Sequence, residues 1–168
     1  MTDQLGHRAR IGVVIPSTNT SCQPESEMLR PPGVTNHVGR ISIQERPLTS
    51  DAAFMEHVTS MRDGMRGTID QVMTCQPTHL IMGVAIEAFW GGVKAADELQ
   101  AELAARAGVG VSMGSTALAR ALRLLGAKSI AVLTPHHPRG DEQVRNYLEQ
   151  AGFTVQRLIG MKCASATL

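Results

Sequence analysis

Ile11-Gly12-Val13-Val14-Ile15-Pro16 and Ile130-Ala131-Val132-Leu133-Thr134-Pro135 decide the fold. Each is a short apolar run that ends at a proline. A run apolar on both faces suits a buried parallel strand, because helices cover both sides of such a sheet. The two runs also match each other position for position. Pro16 and Pro135 lie 119 residues apart (135 − 16), and so do Gly33 and Gly152 (152 − 33), the glycines that close the following helices. Gly33-Val34-Thr35 echoes Gly152-Phe153-Thr154. Two strand–proline–loop–helix–glycine–strand units in gapless register suggest an internal duplication.

Outward from these runs the same alternation continues. Further strands are expected at His37 to Ile43, Leu80 to Met82, Val109 to Val111 and Thr154 to Ile159. Between them, Phe54, Val58, Met61, Met65, Ile69 and Val72 fall on one helical stripe, and Ala96, Leu99, Leu103 and Ala107 on another. Leu118, Ala121, Leu122 and Leu125 make a third, with Ser115 placed to cap its start and Gly126 to end it. Val144, Tyr147, Leu148 and Ala151 make a fourth, entered at Pro138. Strand alternating with helix implies parallel pairing through right-handed crossovers, so the class is α/β. The expected division is a first half at 1–114 and a second at 115–168. By the 119-residue offset the counterpart of Leu80-Ile81-Met82-Gly83 would fall near residue 202, beyond Leu168, so the expectation is either an abbreviated second half or a piece of a longer chain.

Composition narrows the function. Sixteen Lys and Arg nearly balance fifteen Asp and Glu, which leaves no basic face for phosphates and argues against a nucleic-acid partner. Three Phe, one Tyr and one Trp give little to stack on bases. No apolar stretch approaches the roughly 20 residues of a membrane span. The first ten residues are polar and do not read as a secretory signal. Three widely spaced cysteines, Cys22, Cys75 and Cys163, are not a disulfide framework and fit a reducing cytoplasm.

In open parallel sheets ligands bind beyond the carboxyl ends of the strands. After the first strand comes Pro16-Ser17-Thr18-Asn19-Thr20-Ser21, which could donate to an anion or serve as ordinary turn and cap residues. The third strand leads into Gly83-Val84-Ala85-Ile86-Glu87-Ala88-Phe89-Trp90-Gly91-Gly92, a mostly apolar loop able to wall a pocket. Glu87 there reads more readily as a solvated carboxylate than as a base. Ser115 and Thr116 follow the fourth strand and could cap a helix, touch a ligand, or both. After the fifth come His136 and His137, too poorly disposed for a metal site, although His136 alone could reach a pocket as a proton donor. None of the cysteines is expected at the carboxyl end of a strand. A flavodoxin-like phosphate or flavin site is a weaker option for the Ser/Thr loop.

Pro16-Ser17-Thr18-Asn19-Thr20, with Glu25 and Glu27 following, resembles the opening of maleate cis-trans isomerases. Those belong, with arylmalonate decarboxylases, to the aspartate/glutamate racemase superfamily. Leu80-Ile81-Met82-Gly83 with Phe89-Trp90-Gly91-Gly92, and Gly126 through Pro135, are similar to that group's third strand and fifth-strand start. The resemblance implies two pseudo-symmetric Rossmann-like halves with parallel sheets and a site between them. It further implies no cofactor, no metal and a small carboxylate or dicarboxylate as substrate, and leaves a homo-oligomer open. Asn19 would match the substrate-binding asparagine, and Ser17 and Thr18 the carboxylate-holding loop; Ser115, Thr116 and His136 would lie on the side facing these three, and Gly83, Val84 and Ala85 are further substrate-binding candidates from the loop that could wall the pocket. Val84, preceded by Gly83, stands where such isomerases carry a first cysteine, as in one-cysteine arylmalonate decarboxylases, and His136 stands where a tyrosine is common. Decarboxylation, one-cysteine isomerisation and binding without turnover all remain open, the last as a non-catalytic carboxylate-binding protein. Two expectations follow. The chain alone should show no isomerase or racemase turnover, and Asn19→Ala should weaken ligand binding with little change in stability.

Overall fold

The structure is a computed structural model that describes residues 4–44, 47 and 50–164. Its elements run β1 (Ala9–Pro16), α1 (Cys22–Met28), β2 (Val34–Ile41), α2 (Asp51–Met73), β3 (His79–Met82), α3 (Ile86–Phe89), α4 (Gly92–Ala107), β4 (Gly110–Met113), α5 (Gly114–Leu124), β5 (Ser129–Thr134), α6 (Pro138–Gln150) and β6 (Thr154–Gly160). Four strands form one parallel sheet in the order β2-β1-β3-β4, and β5 pairs with β6 in a second parallel sheet. The α/β class with parallel sheets is therefore as read from the sequence. The second strand begins at Val34 rather than His37, because all eight residues of β1 find a partner on β2, from Ala9 against Val34 to Pro16 against Ile41.

The repeat extends to the register. Ile11 lies opposite Asn36 and Ile130 opposite Val155, so both pairs keep the 119-residue offset. One residue later the second sheet shifts: a β-bulge between Ile130 and Ala131 sets Ala131 against Arg157. Gly33 and Gly152 have φ of +79° and +94°, a conformation in which a side chain is strained, so both helix-to-strand turns call for glycine. The helices between differ, with α1 running 7 residues and α6 running 13.

The main core lies between the four-stranded sheet and helices α2 and α4. Val14, Ile41, Met65, Ile69, Leu80, Met82 and Leu103 are essentially inaccessible there. Their α2 members fall on the stripe read from the sequence. A second core joins Tyr147, Leu148 and Val144 of α6 to Phe153, Val155, Ala96 and Ala119. Ser115 does not cap α5. The helix starts one residue earlier, after an extended Met113, and takes Ser115 into its first turn, where the side chain is fully buried. No described helix is long and apolar enough to cross a membrane.

Candidate functional site

Because β1 lies between β2 and β3, the chain leaves β1 in one direction and returns past it to β3. The crossovers diverge at the carboxyl ends of β1 and β3, where a ligand crevice is expected. A cavity of about 190 Å³ opens there. Thr18 and Asn19 enter it from the loop after β1, and Ala85, Ile86 and Glu87 from the segment after β3. Phe54, His57 and Met61 come from the start of α2, and Pro135, His136 and His137 from the turn after β5. Cys163 closes the ring.

The β1 loop is held from both ends. Asn19 Oδ1 accepts from the backbone N–H of Ser21 at 3.1 Å and of Cys22 at 2.8 Å, which caps α1. Its side-chain NH2 has no protein partner among the described residues. Ser17 Oγ accepts from Ile43 N at 2.9 Å and so pins the loop to the end of β2, away from the cavity. Arg40 donates to the carbonyls of Ser17 and Asn19 and to Gln23 Oε1 at 2.8 Å, a clamp that the sequence reading did not contain. Asn19 thus carries structural bonds that the expectation of little change in stability for Asn19→Ala left out.

Of the other residues read from the sequence, Ala85 and His136 line the cavity with Thr18 and Asn19, whereas Ser17, Gly83, Val84, Ser115 and Thr116 do not. Val84 is 2% exposed and points into the main core. Gly83 donates its N–H to Val14 O. A Cβ there would meet Cys22 Sγ at 2.9 Å and Ile15 Cγ2 at 2.6 Å, so this thiol packs against the backbone where a first cysteine was sought. Ser115 Oγ is buried near the Tyr147 hydroxyl without a completed hydrogen bond. Thr116 Oγ1 is shared between Gln100 Oε1 and Met113 O.

His136 sits edge-on to Phe54, with ring centroids 6.4 Å apart. Burial holds its pKa below the usual imidazole value, against the opposing pull of Asp141. His57 is lowered by burial as well. Thr134 Oγ1 donates to Asp141 Oδ1 and accepts from His136 N, which fixes the turn that presents the imidazole.

The sequence reading missed His57, Glu87 and Cys163. His57 sits three residues after Phe54, at the edge of the α2 stripe, and that spacing was a usable signal. Glu87 was read as solvated, but it is 1% exposed. Burial pushes its carboxyl up to about 7, opposed by its own backbone amide and the charge of Arg62. Cys163 was read as remote. After β6 the chain turns back along the β5 loop, with Met161 N donating to Thr134 O, Lys162 N to His136 O and Cys163 N to Pro135 O, which brings Cys163 to the cavity. Among the described residues no three His, Cys, Asp or Glu gather closely enough to hold a metal ion.

The arylmalonate decarboxylase family model matches residues 11–167. The chain belongs to that family. A maleate isomerase of Nocardia farcinica is 24% identical over 164 residues, which cover 94% of this chain and 64% of that protein. Among solved structures, the Nocardia farcinica maleate cis-trans isomerase bound to TRIS superposes with a TM-score of 0.81 at 23% identity, over 94% of this chain and 65% of that one. An arylmalonate decarboxylase gives 0.69 at 15%, over 92% and 64%. The chain therefore spans slightly less than two thirds of the length of these family relatives.

Proposed function

We propose that this chain forms the substrate cleft of a cofactor-independent enzyme that isomerises or decarboxylates a small carboxylate or dicarboxylate. Family membership supports the reaction class. One observation carries the choice of cleft: Thr18 and Asn19 meet Ala85, Glu87 and His136 around a single cavity at the switch point of the sheet. On this reading the halves divide at residues 114 and 115, and both contribute to the cavity wall.

The Thr18 hydroxyl and the free NH2 of Asn19 hold one ligand carboxylate. Loss of carbon dioxide from a malonate-type ligand leaves an enediolate, whose charge is stabilised by donors already oriented at that position. His136, kept neutral by burial, can donate to or accept from the ligand. Cys163, a residue of the wall, brings a thiol that the expectation of no isomerase turnover left out. As thiol it can protonate the enediolate carbon; as thiolate it can add reversibly to a double bond beside a carboxylate, which frees rotation about that bond until the sulfur leaves.

Calorimetric titration with maleate, malonate and phenylmalonate tests the assignment on the parent and on Asn19→Asp. Aspartate keeps the acceptor that caps α1, but it replaces the donor with a negative charge. Affinity is expected to fall at least about tenfold, the loss for a donor that meets a charged group. Unchanged affinity for every ligand that binds the parent overturns the site.

A further inference from the structure

We propose that Glu87 is a ligand contact that enters the complex protonated, donates its O–H to a ligand carboxylate, and so makes binding take up a proton wherever the free chain holds this carboxyl ionised. This rests on the reading of the cleft as a carboxylate site and adds the group that would meet the carboxylate from the β3 side.

The observation behind it is an orphaned acid. Glu87 is the second residue of α3, is 1% exposed and lines the cavity, and neither Oε1 nor Oε2 has a hydrogen-bond partner on another of the described residues. A buried carboxyl without partners is costly, and folded proteins rarely leave one so. Here the missing partner has a place close by, because Glu87 is one of the residues that line the cavity.

The charges around it decide which partner fits. From α2, His57 shares the cavity, and Arg62 acts on Glu87 only as a weak opposing charge from the exposed face. From the turn before α6, His136 and His137 share the cavity as well. On α6, Arg139 lies over the Trp90 ring and Asp141 is tied to Thr134. On α4, Lys94 pairs with Glu98 in solvent, and on α5 Arg123 lies over Phe153. Among the described residues, no lysine or arginine lines the cavity. Burial keeps His57 and His136 from charging. Among the described residues, then, no cation lines the cavity to offset an ionised Glu87 beside an anionic ligand. Two carboxyl groups sharing such a site retain one proton between them. The resulting O–H···O⁻ bond is of the strong, charge-assisted kind. The raised pKa of about 7 makes the proton cheap to hold near neutrality.

Maleate binding is measured by calorimetry from pH 6 to 8.5, in pairs of buffers with different ionisation enthalpies. Above pH 7 the parent is expected to take up close to one proton per ligand, and its Kd to rise about tenfold per pH unit. Glu87→Gln can donate without titrating, so it is expected to bind with no uptake and an affinity that no longer follows pH. Glu87→Met fills the space without a donor and should lose about tenfold or more at pH 6. Proton uptake that persists in Glu87→Gln assigns the proton to a histidine and overturns the proposal. So does binding that tightens as pH rises, the behaviour of a ligand that offers an ammonium to an ionised Glu87. Binding without any uptake overturns Glu87 alone. Absence of binding by the parent for maleate, malonate and phenylmalonate at every pH overturns the carboxylate reading of the cleft, and this proposal with it.

Discussion

β1 and β5 carry the same apolar pattern, yet they live in different surroundings. Val13, Val14 and Ile15 of β1 are fully buried, whereas Leu133 of β5, 119 residues after Val14, is 65% exposed. The difference lies in the neighbours. β1 is hydrogen-bonded on both edges, to β2 and β3, whereas β5 among the described residues pairs with β6 alone. Helix α6 covers one face of β5, and burial along the strand alternates accordingly. An apolar run states what a strand can tolerate; its neighbours decide how much of it is buried. The two units also present opposite chemistry at their carboxyl ends. The β1 loop offers hydroxyls and an amide that do not titrate near neutrality, and the β5 loop offers imidazoles.

The largest effect expected from this contrast comes from the buried acid on the four-stranded side. Burial raises Glu87 to about 7 in the folded chain, and it lowers His136 on the β5 side. A raised carboxyl favours the folded state while it is protonated. The stabilisation is complete below the unfolded value of 4.5 and is lost as pH rises through about 7. The ionised form at pH 8 should cost the parent on the order of 3 kcal/mol relative to pH 4.5 from this group. His136 works the other way, because its lowered pKa makes stability fall as the solution becomes more acid than the unfolded imidazole value. Urea unfolding of parent and Glu87→Gln from pH 5 to 8 checks this. The variant should gain on the parent as pH rises, and parallel curves would assign the alkaline loss elsewhere.

Next in size is the strand contrast itself. Val14→Ala empties space in the main core and should cost about 2 kcal/mol. Leu133→Ala removes a larger side chain, but one mostly in water, and should cost less than about 0.5 kcal/mol. Equal losses in the two variants would mean that the outer face of β5 is covered in solution, and the comparison between the units would then fail.

Most of the fold was legible because periodicity and glycine position are local signals. Both parallel strands, the α2 stripe and the 119-residue offset were read from neighbouring residues, and the β-bulge after Ile130 was not, because register beyond a bulge depends on the partner strand. The lining of the candidate cavity was legible on one side. Thr18 and Asn19 follow a clear strand, and the loop after a parallel strand is a general location for ligands. Glu87 was misjudged because α3 is a single turn with no side-chain cap, so no pattern in Val84 to Trp90 says which side chain turns inward. Cys163 reaches the cavity through backbone bonds from Met161, Lys162 and Cys163 to the β5 loop, and backbone pairing leaves no mark on residue type. Ser115 failed as a cap because the helix starts one residue before it.

The smallest expected difference separates the two helix starts. The α1 helix has seven residues, none of them buried, so little packing holds it, and its first turn depends on Asn19 Oδ1 accepting from Ser21 and Cys22. The α6 helix has no side-chain cap; it begins at Pro138, whose ring presets the first helical φ, and it is anchored by Val144, Tyr147 and Leu148 in the second core. Asn19→Ala should therefore cost about 1 kcal/mol by exposing two amide donors, and Asn19→Asp, which keeps the acceptor at a helix N-terminus, should stay within about 0.5 kcal/mol of the parent. Pro138→Ala acts mainly by freeing the unfolded chain and should also cost less than about 1 kcal/mol. Chemical denaturation of the three variants at one pH ranks them. Hydrogen exchange at Ser21 and Cys22 then locates the loss, since an unfastened cap speeds exchange there before it moves the global midpoint. If Asn19→Ala leaves those two amides as protected as in the parent, the asparagine is not holding the turn, and its oxygen as well as its NH2 is free to face a ligand.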